Sequence, residues 1–401
     1  MNRIVEEQRV TPILEAYDVA VIGGGIAGAA AALAAARNGA KTCLIDKETC
    51  LGGLATLGLV VVYLPLCDGM GNQVIGGIAE ELMKNSVRYG PGQIPPCWRE
   101  DGIPERRKKQ RYRLRFNAAS FMISLEELLV ENGVELMYDC RFCGVYRRSR
   151  QIEAVILETK EGRIGVECGC VVDATGDADV CWVAGEQTET YERNIRTAWY
   201  FSYNQEEVKL HQLTDSMYQI RAGQPLYKGI GIRETARHNY DGRQMIMDHV
   251  KETNLTAEKK VYPFLIPACT EFLMTRRLKS RLELDVSHER YWFPDTVAMA
   301  GDWRKKGPVY CIPLSSLTGT KSGNLISAGR CISTTNQMWD ITRVIPVCAV
   351  TGEAAGTAAA MLVKQKKASF SELNVAQLQN TIRDQGGILE PDLTRKGENR
   401  L

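Results

Sequence analysis

Tyr17-Asp18-Val19-Ala20-Val21-Ile22-Gly23-Gly24-Gly25-Ile26-Ala27-Gly28 is the stretch that decides the fold. Its first six residues are short and rich in β-branched side chains, the pattern of a parallel strand covered on both faces. The glycines at 23, 25 and 28 then make a turn, and the alanine-rich run 29–37 has the highest helix propensity available. Asn38-Gly39 supplies a left-handed stop, and residues 41–45 form a second strand with Asp46 at its end. In this strand–turn–helix–strand setting each glycine has a distinct task. Gly23 allows the tight turn, Gly25 lets a pyrophosphate approach the backbone, and Gly28 permits close packing of helix on strand. The helix N-terminus that follows the turn residues Ile26 and Ala27 stabilises the phosphates. Asp46, followed by Lys47, stands where a carboxylate accepts hydrogen bonds from ribose hydroxyls and repels a 2′-phosphate. The unit therefore predicts a dinucleotide other than NADP.

Three later segments favour FAD over NAD. Leu51-Gly52-Gly53-Leu54-Ala55-Thr56 is a loop whose bare backbone can run along a pyrophosphate and a ring system. Ala174-Thr175-Gly176-Asp177 ends a later strand, and Ala328-Gly329-Arg330 ends another about 300 residues from the first motif. A nicotinamide domain completes its site locally and needs no such return. Between these segments the pattern predicts helices over 78–85, 118–132, 346–364 and 371–385. Strands are expected at 134–138, 151–158, 163–167, 171–177 and 324–327, those at 151–167 forming an antiparallel meander.

On these residues the chain resembles the FAD-dependent oxidoreductase family of the glutathione-reductase-like flavoproteins. It is more distantly similar to fumarate-reductase-type flavoproteins and thiazole synthases. The likeness covers residues 17–66, 117–180 and 272–388, and is most specific at 324–333 (NLISAGRCIS) and 342–359 (TRVIPVCAVTGEAAGTAA). It implies that Gly23, Gly25, Gly28 and Asp46 hold the ADP half and that Phe142 touches the adenine through its backbone. It further implies that Thr175, Gly176 and Asp177 flank the ribityl–pyrophosphate region with Gly329 and Arg330, and that Arg343, Val344 and Ile345 border the flavin. Pro346 supports the last assignment, since proline suits the first helical position and the helix would begin beside the flavin pyrimidine.

The fold class expected is α/β: a Rossmann-like FAD-binding domain of parallel sheet and antiparallel meander, plus an inserted α+β substrate lobe. The FAD-binding domain takes residues 1–181 and 311–401. The lobe takes 182–310, which holds all four histidines, with 67–116 contributing.

Composition narrows the function. Fifty Lys and Arg against 48 Asp and Glu leave a net charge of +2, which argues against a polybasic nucleic-acid binder. The seven basic residues between Arg106 and Arg115 then read as a solvated or steering patch. Thirteen cysteines, an odd number, point to reduced thiols and a cytoplasmic location, and the charged N-terminus shows no signal peptide. The apolar run 19–36 is broken by glycines, so no membrane span is expected there. Cys50 and Cys67 lie too far apart for a disulfide reductase. Cys140, Cys143, Cys168 and Cys170 sit in strands where small thiols bury readily, so no metal is expected.

The reading is of an enzyme that transfers a hydride at flavin N5 to or from a small organic substrate. Arg277 would clamp an anionic group, Asp302 would act as base, and Tyr310 is the phenol nearest the re-entry strand. The resemblance leads one to expect Asp-x-His where Asp302-Trp303-Arg304 stands, and the histidine is missing. A thiazole-synthase-like biosynthetic flavoprotein and a non-enzymatic flavin-bound sensor or subunit remain alternatives. The electron partner is unassigned, and a homo-oligomer is left open.

Overall fold

The structure is a computed structural model that describes residue 4, residues 7–217 and residues 219–395. β1 (Ile13–Ile22) is buried over residues 19–22 and leads into α1 (Ile26–Arg37), which is buried over residues 26–35. The helix starts at Ile26, three residues before the expected start, because Gly28 lies inside its first turn. A Cβ on Gly28 would sit 1.7 Å from the Gly23 carbonyl oxygen. β2 (Thr42–Ile45) pairs parallel with β1. A short antiparallel pairing of β3 (Val62–Tyr63) with β4 (Leu114–Arg115), and α2 (Gly77–Asn85) between them in sequence, folds 47–116 onto the main core through Tyr63, Tyr112 and Phe116. α3 (Ala118–Glu131) is capped by the Asn117 side chain, which accepts from the Ser120 N–H, and leads to β5 (Glu135–Met137), parallel to β2.

β6 (Arg141–Arg148), β7 (Gln151–Thr159) and β8 (Gly162–Asp173) form the meander. β8 is one strand of 12 residues, where the sequence suggests two. Its first half pairs antiparallel with β7, and residues 165–173 pair parallel with β1. Gly169, between the two expected strands, makes room for Val363: a Cβ there would lie 3.0 Å from Val363 Cγ2. After α4 (Asp179–Val183) the chain leaves this sheet.

The lobe carries β9 (Thr188–Thr190), which pairs with β13 (Arg276–Leu278). Between them lie β10 (Thr197–Tyr203), β11 (Val208–Thr214), α5 (Ile232–Thr256) and β12 (Tyr262–Leu265). The sheet order is β11-β10-β12, and α5 packs on it around Ala198, Tyr200, Ile246 and Val250. The next hairpin, β14 (Thr296–Gly301) with β15 (Val309–Pro313), is wholly buried and packs into the main core. The boundary drawn at residue 311 therefore falls within β15.

β16 (Leu325–Ser327) pairs parallel with β8 beyond the point where β7 ends, completing a sheet ordered β5-β2-β1-β8-β7-β6. The parallel strands end in register: Ile22 faces Ile45 and Asp173, Ile45 faces Met137, and Asp173 faces Ser327. Every glycine loop singled out above thus leaves the same edge of one sheet, where ligands of open α/β folds bind.

α6 (Asn336–Thr342) precedes α7 (Ile345–Lys364), which lies along α1. Cβ atoms on Gly352 and Gly356 would come within 2.2 Å of the Ala27 oxygen and 2.0 Å of the Ala31 oxygen. The small residues of α7 thus serve a close helix–helix approach as well as packing on the sheet. Among the described residues α7 is the one helix long and apolar enough to cross a membrane, and 89% of that window is buried inside the protein. α8 (Val375–Asp384) starts four residues later than expected because Asn374 caps it, accepting from the Gln377 N–H at 3.1 Å.

Candidate functional site

The sheet edge opens into a cleft of about 320 Å³. Its floor is built from the ends of β1, β2, β8 and β16. Gly23 takes φ +105° with the Ala174 carbonyl 2.5 Å from where a Cβ would be, so only glycine fits. Gly25 differs: its backbone is extended, and a Cβ there would meet nothing within 4 Å. It is bare toward the cleft, which is the room a pyrophosphate needs. Gly52 N donates to the Gly24 carbonyl at 2.8 Å, and a Cβ on Gly53 would lie 3.2 Å from Gly25 Cα, so the second glycine loop lies against the first. Thr56, fully buried, holds that loop by donating its hydroxyl to the Leu51 carbonyl at 2.6 Å. Asp46 accepts from the backbone N–H groups of Gly24 and of Glu48, the latter at 2.7 Å, which fixes its carboxylate at the cleft.

At the far end Arg330 ties three segments together. Its guanidinium donates to the Gly176 and Phe272 carbonyls, both at 2.6 Å, and to Asp177 Oδ1 at 2.7 Å. Arg343 donates to Asp340 at 2.6 Å, and Ile345 and Cys348 place the first turn of α7 on the cleft. The cleft thus lies at a helix N-terminus with positive backbone polarity.

Of the residues read from the sequence, the cleft brings together Gly23, Gly25, Ile26, Ala27, Asp46, Lys47, Gly52, Gly53, Leu54, Thr175, Gly176, Asp177, Gly329, Arg330, Arg343 and Ile345. Gly28, Thr56 and Val344 lie just behind it, and Phe142 on β6 packs against a separate cluster that includes Ile45, Met137 and Val155, away from the lining.

The comparisons with known proteins agree with this geometry. The family model of the FAD dependent oxidoreductases matches residues 18–261 and 282–382. The chain belongs to the FAD-dependent oxidoreductase family. Its cofactor is FAD, and the cleft's bare Gly25, fixed Asp46 and aligned loops suit it. The tRNA uridine 5-carboxymethylaminomethyl modification enzyme MnmG of Protochlamydia amoebophila is 31% identical over 171 residues, which is 40% of this chain and 24% of that protein. The chain therefore matches about a quarter of that relative's length. A geranylgeranyl bacteriochlorophyll reductase-like protein from Thermoplasma acidophilum superposes with a TM-score of 0.52 at 14% identity, covering 93% of this chain and 84% of that one. The p-nitrophenol 4-monooxygenase PnpA from Pseudomonas putida superposes with a TM-score of 0.50 at 11% identity, covering 88% and 81%. At such identities the likeness is one of fold.

The three residues expected to do chemistry on the flavoenzyme's substrate do not meet at the cleft. Arg277, 2% exposed, lies over the Trp339 ring and pairs with Glu283 at 2.8 Å and Glu189 at 3.3 Å. Asp302 is fully buried and binds the Arg304 guanidinium at 3.0 Å. Burial raises its carboxyl, but the bonds from Arg304 outweigh that and hold it below the ordinary range. Tyr310 stands inside β15, where burial first and Asp302 second push its phenol up to about 12. All three are packing and pairing groups, because β13 and the β14–β15 hairpin turn inward to the core.

Sequence reasoning missed the opposite wall of the cleft. Gly229, Thr235, Cys269, Thr270 and Phe272 of the lobe face the FAD segments, and no local motif marks them. Cys348 had a signal, since it lies one helical turn beyond Ile345. Burial pushes the Cys269 and Cys348 thiols up to about 12, so both remain protonated and unreactive as nucleophiles at neutral pH.

Proposed function

We propose that this FAD-dependent oxidoreductase transfers a hydride between flavin N5 and a small organic substrate held between the first turn of α7 and the lobe wall at 269–272. One observation carries the reading: the cleft continues past the cofactor segments to a wall of lobe residues, Gly229, Thr235 of α5, Cys269, Thr270 and Phe272. Bound FAD supplies the two-electron acceptor, and the protein supplies position and electrostatics. Gly25 and the 52–53 loop leave room for the pyrophosphate, Asp46 holds the ribose, and Arg330 fixes the Gly176–Asp177 turn. The backbone polarity at the start of α7 favours negative charge developing on the pyrimidine side of the ring. Arg343 is the cleft group that would meet an anionic part of the substrate, in place of Arg277.

An anaerobic screen of small alcohols, amines, hydroxy acids and nicotinamide donors, followed by bleaching of the flavin absorbance, tests this reading. The expected result is substrate-dependent bleaching that saturates with concentration. Bleaching by none of these classes, with the flavin still reducible by dithionite, would overturn it.

A further inference from the structure

A second pocket, of about 240 Å³, shares no lining residue with the FAD cleft. It lies at the opposite end of β16: the cleft takes Ala328 and Gly329 after that strand, and this pocket takes Ser322 and Gly323 before it. One wall is the small, polar loop 318–323, Thr-Gly-Thr-Lys-Ser-Gly. A second wall comes from residues 369–375, which lead into α8, and Arg150, Ser280, Arg281 and Asp295 line much of the rest.

The loop is held in shape by groups around it. Glu186, 5% exposed and outside the lining, accepts the N–H groups of Thr320 at 2.8 Å, Lys321 at 3.0 Å and Ser322 at 2.7 Å. Those backbone donors are therefore spent, and recognition in the pocket falls to side chains. Gly323 N donates to the Arg150 carbonyl at 2.8 Å, and Arg150 Nη2 donates to the Thr320 carbonyl at 3.0 Å, so the β6–β7 turn is tied to the loop at both places. The Ser280 hydroxyl shares its hydrogen between the Ser315 and Thr318 carbonyls, each 2.6 Å away, which brings the neighbouring Arg281 to the same loop. A pocket fixed in this way loses little freedom when a ligand enters.

The groups left over describe the ligand. Arg281 makes no hydrogen bond or ion pair among the described residues, and Arg150 spends one N–H on Thr320 and pairs with no carboxylate among them. Asp295, the one carboxylate among the described lining residues, uses Oδ2 on the Ser315 N–H at 2.8 Å and keeps Oδ1. The hydroxyls of Ser315, Thr320 and Ser322 have no partner among the described residues, although Ser322 is only 4% exposed. A guanidinium offers a planar fork of donors to oxygen anions. A tetrahedral dianion can meet two such forks at once, whereas a planar carboxylate is filled by one. Asp295 Oδ1 can only accept when ionised, and the three hydroxyls can donate or accept, a set that suits hydroxyl groups on the same small ligand.

We propose that this pocket binds a small phosphate monoester bearing hydroxyl groups, the sugar-phosphate class, with its phosphate at Arg150 and Arg281 and a hydroxyl donating to Asp295. The site is separate from the FAD cleft, and the inference does not rest on the hydride-transfer reading.

Calorimetric titration of the FAD-loaded protein in phosphate-free buffer tests it. The ligands are ribose 5-phosphate, glucose 6-phosphate, glycerol 3-phosphate, inorganic phosphate, gluconate and glucose. At least one of the three esters should bind at one site per chain, with inorganic phosphate weaker and glucose silent. Arg281→Gln and Arg150→Gln should each weaken that ester about tenfold, as loss of charge-assisted hydrogen bonds would give. Arg281→Lys should regain only part of the loss, because an ammonium has no fork. Flavin content and the visible spectrum should stay at wild-type values in all three variants. Binding of none of the esters would overturn the proposal, and so would gluconate binding as tightly as glucose 6-phosphate. An ester that binds wild type and both Gln variants equally would also overturn it, by placing the anion elsewhere on the protein.

Discussion

Gly23, Gly25 and Gly28 look alike in the sequence and are held for different reasons. Gly23 and Gly28 are fixed by backbone crowding, whereas a Cβ on Gly25 would meet nothing within 4 Å. Asp46 ties the glycine turn and lines the cleft, where we propose that it holds the ribose. Replacing Asp46 by Ala should weaken FAD binding by about 1–3 kcal/mol, the loss of charge-assisted hydrogen bonds, measured by titrating apoprotein with FAD. An unchanged Kd would show that the carboxylate serves the turn alone. Arg277 is the opposite case, a residue whose chemistry suggested catalysis and whose surroundings assign it to structure. Arg277→Met should lower stability by roughly 2 kcal/mol, discounted from a fully buried pair because its glutamates are 32% and 40% exposed. Chemical denaturation reads that loss, and KM for any substrate found should stay at the wild-type value. The glycine turn and Asp46 were legible because their geometry is set within a few residues. The burial of Arg277, Asp302 and Tyr310 was not, because it depends on which way a distant hairpin turns.

At the level of elements, the order of strands and helices follows from local pattern, and the exceptions come from contacts that the pattern does not show. β8 runs unbroken through Gly169, which makes room for Val363 of α7, and α1 begins early because Gly28 in its first turn clears the Gly23 carbonyl. The same contact logic places Glu353 inside α7 against the start of α2. It accepts the Ile78 N–H at 3.2 Å, and a Cβ on Gly77 would lie 2.5 Å from its Oε1. Burial, with Glu81 adding and Arg37 opposing, raises its carboxyl from 4.5 to about 8. Between those values the folded protein binds the more protons, so this group's contribution to stability falls as pH rises from about 4.5 to 8. Glu353→Gln should therefore flatten the decline of Tm across that window relative to wild type, measured by calorimetry at pH 5, 6, 7 and 8. Parallel Tm profiles would mean that Glu353 titrates as an ordinary carboxylate.

Over the whole molecule, the cleft lies between the sheet edge with α1 and α7 on one side and lobe residues Gly229, Thr235, Cys269, Thr270 and Phe272 on the other. The first half of that cleft was written in glycine loops 300 residues apart and could be read. The second half is made by packing of the lobe, which no short motif encodes, so that wall came only with the structure. Arg330 links the halves by reaching from the Gly176–Asp177 turn to the Phe272 carbonyl. The central claim is that FAD lies along this edge with its pyrophosphate against Gly25. The measurement that tests it most directly is flavin content beside circular dichroism for Gly25→Val. Because a Cβ at Gly25 meets no protein atom within 4 Å, the variant should fold with a wild-type spectrum and be isolated without flavin, while wild type carries about one FAD per chain. Equal flavin in the two proteins, or a Gly25→Val chain that fails to fold, would contradict the assignment of this edge as the FAD site.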